Sequence, residues 1–379
     1  MKELLGQARA RLEQTCALIR RLVECETPSG DAAAIERFAD LLAAELPERT
    51  SIRRISGGNF GPHLRCCWPT AGASTEGQIL LLAHSDTVWP AGTLAGRPFR
   101  RWRGRLWGPG VLDMKAGIAI AIEALRLLEE LGRRPRRRVV LLVNSDEEIG
   151  SPSSRPWIER EACRSAAVLV LEPGTGLEGK LKTARKGVGV YSLRVTGRAA
   201  HAGVDFAAGA NAVLELARQI QRVASFTDLR RGVTVSPNVA RGGDRSNVIP
   251  EEAIAEVDVR VPRLRDAARL DARMRALRPF DARCRLEVSG GLNRPPMERS
   301  HGTVQLFALA RSLAAEMGVV LEESTSGGGS DGNFTAALGV PTLDGLGAVG
   351  EGAHAGNESV LVARIPERVA LLAGLLERV

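Results

Sequence analysis

Lysine, aromatic side chains and paired cysteines are all scarce in this chain. Five of its 52 basic residues are lysine, an arginine bias that we attribute to genome composition. Aromatics make up 4%, with a single tyrosine, so ring platforms for stacking nucleobases are few. The net charge of +8 would suit an acidic partner. However, its densest basic run, Arg133-Arg134-Pro135-Arg136-Arg137-Arg138, lies between a helix pattern and a strand pattern and reads as a solvated loop. No nucleic-acid partner is expected. The six cysteines, Cys16, Cys25, Cys66, Cys67, Cys163 and Cys284, form no C-x-x-C and none adjoins a histidine motif. That excludes a zinc–thiolate site and reads as reduced thiols. No run of about eighteen apolar residues occurs, so no membrane span is expected. The N-terminus, MKELLGQARARLEQTCALIRRLVE, is charged throughout with apolar residues at helical spacing. It reads as an amphipathic helix rather than a signal peptide, and a cytoplasmic location follows. No repeat or low-complexity segment stands out.

What is present is an ordinary globular balance, 44% hydrophobic and 25% charged over 379 residues, enough for about two domains. Helices are expected over residues 2–24 and 32–46, separated by Thr27-Pro28-Ser29-Gly30-Asp31. Short strands are expected at Ser51–Ile55 and Leu64–Trp68. Ile79–Ala83 is a continuous apolar run without alternation, the pattern of a strand covered on both faces. A helix over Met114–Leu131 is closed by Gly132, and buried strands follow at Val139–Val143 and Val168–Leu171. Strands alternating with helices predict an α/β fold. From Lys186 the pattern changes. Strands at Val188–Val195, Val233–Val239, Ala253–Val259 and Cys284–Val288 alternate with helices at Asn211–Val223 and Ala267–Leu277. This is an inserted α+β unit, residues 186–293, with a sheet covered on one face. It divides a first part, 1–185, from a second, 294–379, that reads α/β again. The second part holds a helix at Thr303–Met317, a strand at Val319-Val320-Leu321 and a glycine-rich turn at Ser326–Ser330.

The chemistry-bearing residues gather at strand ends. His84 closes LLLAH and Asp86 follows it. Glu147-Glu148 and Glu172 each lie just past a buried strand, Asp113 follows GPGVL, and His354 sits in GAHAGNE. Ligands in α/β folds collect at the carboxyl ends of strands. Two histidines and several carboxylates can hold two metals about 3.5–4 Å apart with a bridging carboxylate and a shared water. Asp86 is placed to accept the second ring N–H of His84. Glu147 and Glu148 are neighbours whose side chains diverge, so one can bind metal while the other moves a proton. Hydrolysis of an amide follows as the reaction class. The Gly327-Gly328-Gly329 run lacks the lysine of a phosphate loop, so Gly328 and Gly329 read as a close backbone approach to substrate. His63 and His301 have no motif around them and read as structural.

One ordered set carries a family resemblance: His84-Ser85-Asp86-Thr87, Asp113-Met114-Lys115, Asp146-Glu147-Glu148, Glu172-Pro173, Ala200-His201-Ala202-Gly203, Ser246-Asn247-Val248-Ile249-Pro250, Gly327-Gly328-Gly329-Ser330-Asp331 and His354. It resembles the di-zinc aminoacylase/carboxypeptidase family over nearly the whole chain, most of all its glutamate carboxypeptidase branch. The resemblance implies a mixed central sheet flanked by helices in the catalytic domain, and a lid and dimerisation role for the insert, hence a homodimer. It implies two Zn²⁺, with Co²⁺ or Mn²⁺ as substitutes. His84, Asp113 and Glu172 would hold one metal, and Asp113, Glu148 and His354 the other. Glu147 would be the general acid/base and His201 the oxyanion donor, reaching into a partner's site. Asn247 and Arg260 match lid positions that contact a substrate carboxylate, and Arg294 matches an arginine of the glutamate branch. Ala355-Gly356-Asn357 and Gly332-Asn333 depart from the family pattern. The implied reaction releases a C-terminal amino acid, glutamate first, from a small peptide or N-acyl amino acid. Deacylation of an N-acyl amino acid such as acetylornithine is the alternative. A non-catalytic carboxylate- or nucleic-acid-binding protein is the alternative outside enzymes.

Overall fold

The computed structural model describes residues 1–68 and 77–379. Its chain divides into two compact units, one of residues 1–184, 299–326 and 330–379, the other of 185–298 with 327–329.

The first unit is built on a mixed six-stranded sheet. In spatial order its strands are Ser51–Ser56, Pro62–Trp68, Arg138–Asn144, Gln78–His84, Ser165–Val170 and Thr342–Leu343. The last four run parallel to one another, and Pro62–Trp68 runs antiparallel to both its neighbours. The unbroken apolar run Ile79–Ala83 within Gln78–His84 has a direct cause. Ile79, Leu81 and Ala83 face the larger hydrophobic cluster, shared with the helices Ala116–Glu130 and Ile365–Arg378. Leu80 and Leu82 face a second cluster that holds Ile158, Ala162 and Phe334. A strand buried on both faces has no place for a polar alternate. Asp31 caps the helix Ala32–Glu45 by accepting from Ala34 N at 3.0 Å, a contact worth about 1 kcal/mol.

Several expectations change. Residues 2–24 form two helices, Lys2–Ala10 and Leu12–Glu24, because Arg11 leaves helical geometry (φ −93°, ψ 6°). Its guanidinium reaches Glu123 at 2.9 Å and also Glu130. The stretch from Met114 does not start as a helix. Val111–Lys115 forms a wide turn, with a cis peptide between Asp113 and Met114, and the helix proper is Ala116–Glu130. Val319-Val320-Leu321 is no strand, and Val320 is 84% exposed. The strand is Glu323–Ser326, paired with Leu181–Arg185. Helices at Arg155–Ala162, Gly332–Ala337 and Ile365–Arg378 add to those expected. The basic run 133–138 is the expected loop up to Arg137, with Arg134, Arg136 and Arg138 exposed, and it is tied to the C-terminal helix. Arg133 binds Glu377 through two 2.6 Å bonds, Arg136 N donates to Leu376 O, and Arg137 Nε donates to Val379 O. All six cysteines are unpaired.

The second unit has an antiparallel sheet ordered Thr234–Gly242, Glu252–Val261, Gly187–Thr196, Arg285–Arg294. Along Gly187–Thr196 the alternation is kept. Tyr191, Leu193 and Val195 are buried under the helices Ala212–Ala224 and Leu264–Arg275, while Val190 is exposed. Among the described residues, no helix is long and apolar enough to cross a membrane.

Candidate metal centre and active site

Three parallel strands ending on one edge set the site. His84 is the last residue of its strand, Glu147 and Glu148 lie in a short turn past Asn144, and Glu172 follows Val170 by two residues. The wide turn Val111–Lys115 brings in Asp113, and the loop before the strand Ser359–Leu361 brings in His354, at φ 62°. Gly117 lets the helix behind Asp113 lie against Leu171, since an added Cβ would fall 2.2 Å from Leu171 O.

Donor atoms converge on two points. His84 Nε2 lies 3.3 Å from Asp113 Oδ1 and 3.5 Å from Glu172 Oε1. His354 Nε2 lies 3.3 Å from Asp113 Oδ2 and 3.2 Å from Glu148 Oε2. Each imidazole nitrogen thus faces two carboxylate oxygens at once, more than one N–H can serve. Asp113 contributes one oxygen to each group, as a bridging carboxylate does. Both groups, His84–Asp113–Glu172 and Asp113–Glu148–His354, have the spacing of a metal ligand set. Glu148 Oε1 is buried and has no hydrogen-bond partner among the described residues, as suits an oxygen that binds a cation. The donor set of imidazole nitrogen and carboxylate oxygen therefore fits two divalent cations.

The charges tell the same story. Hydrogen bonds to Asp113 and Glu148 push His354 up to about 10. Burial pulls the His84 imidazole down, but hydrogen bonds to Asp113, Asp86 and Glu172 outweigh it and raise it well above the usual range. Asp113, though buried, is driven below the ordinary carboxylate range by the two histidines. Burial raises Glu148. Metal needs neutral imidazole, so loading at pH 7 is expected to release about two protons per chain. Metal affinity should weaken as pH falls. A dye-monitored titration in weak buffer measures this, and no proton release would exclude the histidines as ligands. In the metal-free chain, His354 stabilises the fold below an unfolded pKa of about 6.5. That contribution is lost as pH rises through about 10.

Asp86 has a second job beside facing His84. His84 Nδ1 lies 2.9 Å from the backbone carbonyl of Asp86 and 3.5 Å from its carboxylate. The carboxylate also accepts from Glu147 N and Glu148 N, both at 3.1 Å, and from Ser29 Oγ at 2.8 Å. It fixes the turn that carries the two glutamates. Asp331 braces the same turn, accepting from Asn144 Nδ2 at 2.8 Å and from the Ser151 hydroxyl.

Glu358 was not singled out by the sequence, where it is one more acid four residues after His354. It is buried, and its Oε1 accepts Leu112 N and Asp113 N, while its Oε2 accepts Gly110 N and Trp89 Nε1. It shapes the turn that presents Asp113, and burial pushes its carboxyl up. Glu358→Ala would leave four donors without an acceptor. At about 1–3 kcal/mol for a buried unmet group, with water replacing part, a loss of about 3 kcal/mol in urea unfolding is expected. A loss below about 1 kcal/mol would overturn this role.

The remaining sites lie in the second unit. His201 pairs with Val248 across a two-residue ladder, and Ala202 N donates to Asn247 O at 3.0 Å, so His201 and Asn247 adjoin. His201 Nδ1 accepts from Gly203 N and Val204 N, which leaves Nε2 as the protonated nitrogen. Arg260 is held by Asp258 through two 2.9 Å bonds. Arg294 is buried and donates to Asn293 Oδ1. The carbonyls of Gly328 and Gly329 both accept from Arg185 Nη1 at 3.2 Å, an arginine the sequence did not mark. Gly329 is required by Arg294, whose Cδ would lie 2.8 Å from an added Cβ. His63 is structural. It is buried, its Nδ1 accepts from Ser145 N, and its Nε2 meets Ser153 Oγ.

Residues 80–378 match the model of peptidase family M20/M25/M40. The chain belongs to this family. Among curated M20 relatives, carboxypeptidase G2 of a Pseudomonas species is 33% identical over 94% of this chain and 87% of its own. Succinyl-diaminopimelate desuccinylase of Rhodospirillum centenum is 29% identical over 96% of both chains. Among solved structures, the aminopeptidase PepT of Bacillus cereus superposes with a TM-score of 0.78 at 21% identity, over 96% of this chain and 98% of that one. This M20 chain is a metal-dependent hydrolase with the mixed α/β fold of its relatives.

Proposed function

We propose that the chain is a di-zinc carboxypeptidase that cleaves an amide bond to release a C-terminal amino acid, glutamate first, from a small peptide or N-acylated substrate. The observation that carries this reading is the pair of ligand groups sharing Asp113, with the Glu147 turn pinned beside them by Asp86. Two divalent cations would act as Lewis acids there, polarising the scissile carbonyl and lowering the pKa of an attacking water. His84, Asp113 and Glu172 would hold one, and Asp113, Glu148 and His354 the other. Glu147 takes the proton of the attacking water and delivers it to the leaving nitrogen. His201, its Nε2–H free to donate, stabilises the carbonyl oxygen as it gains charge. Asn247, Arg260 and Arg294 recognise the released carboxylate, for which Arg260 would exchange its bond to Asp258. The second unit serves as lid and homodimer contact, and the protein works in the cytoplasm.

The carboxypeptidase relative supports release of a terminal amino acid. The desuccinylase relative supports a second reading, removal of an acyl group from an amino acid. A panel of N-acyl-glutamates, dipeptides and acetylornithine decides between them. Turnover of glutamate conjugates above the rest is expected, and turnover of acetylornithine alone would overturn the first reading.

A further inference from the structure

Beside the His354 loop, within the first unit, lies a cavity of about 150 Å³ walled by Trp89, Arg97, Arg100, Trp107 and Gly356. A single water takes about 30 Å³, so a small ion fits with its hydration. The arginines of this segment differ in one respect. Arg101 is paired with Glu13 and Arg105 with Glu351, both at 2.8 Å. Arg97 and Arg100 have no carboxylate among the described residues and rest on indole faces, 5.1 Å from the Trp89 ring and 5.4 Å from the Trp107 ring. Stacking orients a guanidinium while leaving its edge N–H groups open. Two such cations in one cavity repel each other until an anion joins them. The Arg97 guanidinium lies over Gly356, its Nη2 2.8 Å from where a Cβ would stand. The carboxylate in the wall, Glu358, does not compete, because both its oxygens are taken by four N–H donors.

We propose that Arg97 and Arg100, braced on Trp89 and Trp107, form a binding site for a small oxyanion, a carboxylate, sulfate or phosphate group. The site adjoins the metal centre through covalent and hydrogen-bonded links. Trp89 Nε1 donates to the same Glu358 carboxylate that accepts Asp113 N, and Gly356 is two residues from His354. An ion that shifts Trp89 therefore acts on the turn that presents Asp113.

The test is tryptophan emission of the metal-loaded full chain titrated with sodium sulfate, ionic strength being held with chloride. A saturable change specific to sulfate is expected. In the double exchange Arg97→Ala/Arg100→Ala the affinity should fall by about tenfold or more. Both side chains are exposed, so circular dichroism and metal content should stay those of the parent. Sulfate acting no differently from chloride would overturn the site. So would a double variant that titrates like the parent, because the signal would then come from the metal centre. Kinetics name the source of the oxyanion, and this arm alone rests on the hydrolase reading. Sulfate that raises only KM marks the acidic end of a substrate, and sulfate that changes kcat marks a separate ion.

Discussion

Exchange of Glu147 for Gln lowers turnover by about 10²–10⁴-fold while metal content and fold are kept. That range is what a positioned general acid/base contributes. The reason lies in the division of labour within one turn. Glu148 faces His354 at 3.2 Å and belongs to a ligand group, whereas Glu147 is in neither group. The amine of an amino acid is a poor leaving group unless its nitrogen is protonated as the bond breaks. Glutamine keeps the size and the backbone bond to Asp86 but cannot shuttle a proton. The loss should therefore fall on kcat, with KM little changed. Metal analysis beside steady-state kinetics checks both parts. A variant that keeps activity would remove Glu147 from the base role, and one that loses metal would make it a ligand.

Exchange of Asp113 for Ala is expected to abolish binding of both metals at once. Each ligand group has three protein donors and Asp113 serves both, so each falls to two. Glu172→Ala is the control, since it touches only the group with His84. Metal analysis after gel filtration should give about two ions per chain for the parent, about one for Glu172→Ala, and well below one for Asp113→Ala. Activity of Asp113→Ala should be lost with the metal. If Asp113→Ala retains one tightly held ion, the bridge is wrong and the two groups are independent.

How much of this was legible in the sequence depends on how local the cause was. The burial of Gln78–His84 on both faces was legible because every one of its apolar residues has the same reason to be apolar. The one-sided sheet of the second unit was legible because alternation along Gly187–Thr196 is itself the record of two environments. His84 and Glu172 could be placed at strand ends by counting. The break at Arg11 could not, because the local pattern is helical on both sides and distant carboxylates, Glu123 and Glu130, draw Arg11 away. Three apolar residues at 319–321 carried too little pattern to tell a strand from an exposed turn. The second role of Asp86, anchoring the glutamate turn, was hidden for a related reason. Spacing says what lies beside it on its own strand, but its carboxylate serves a turn that follows the neighbouring strand. Glu358 left no signal either, because a carboxylate that collects four N–H donors looks in sequence like any surface acid.

The insertion of the second unit between Ala184 and Arg299 also orders the assembly of the metal centre in time. During synthesis the first ligand group, His84, Asp113 and Glu172, is complete before the insert begins, while the second waits for His354. At about 5–20 residues per second, that delay is on the order of ten seconds. In that interval Glu148 has no histidine beside it. Both candidate ligand groups are present together only once His354 has been made.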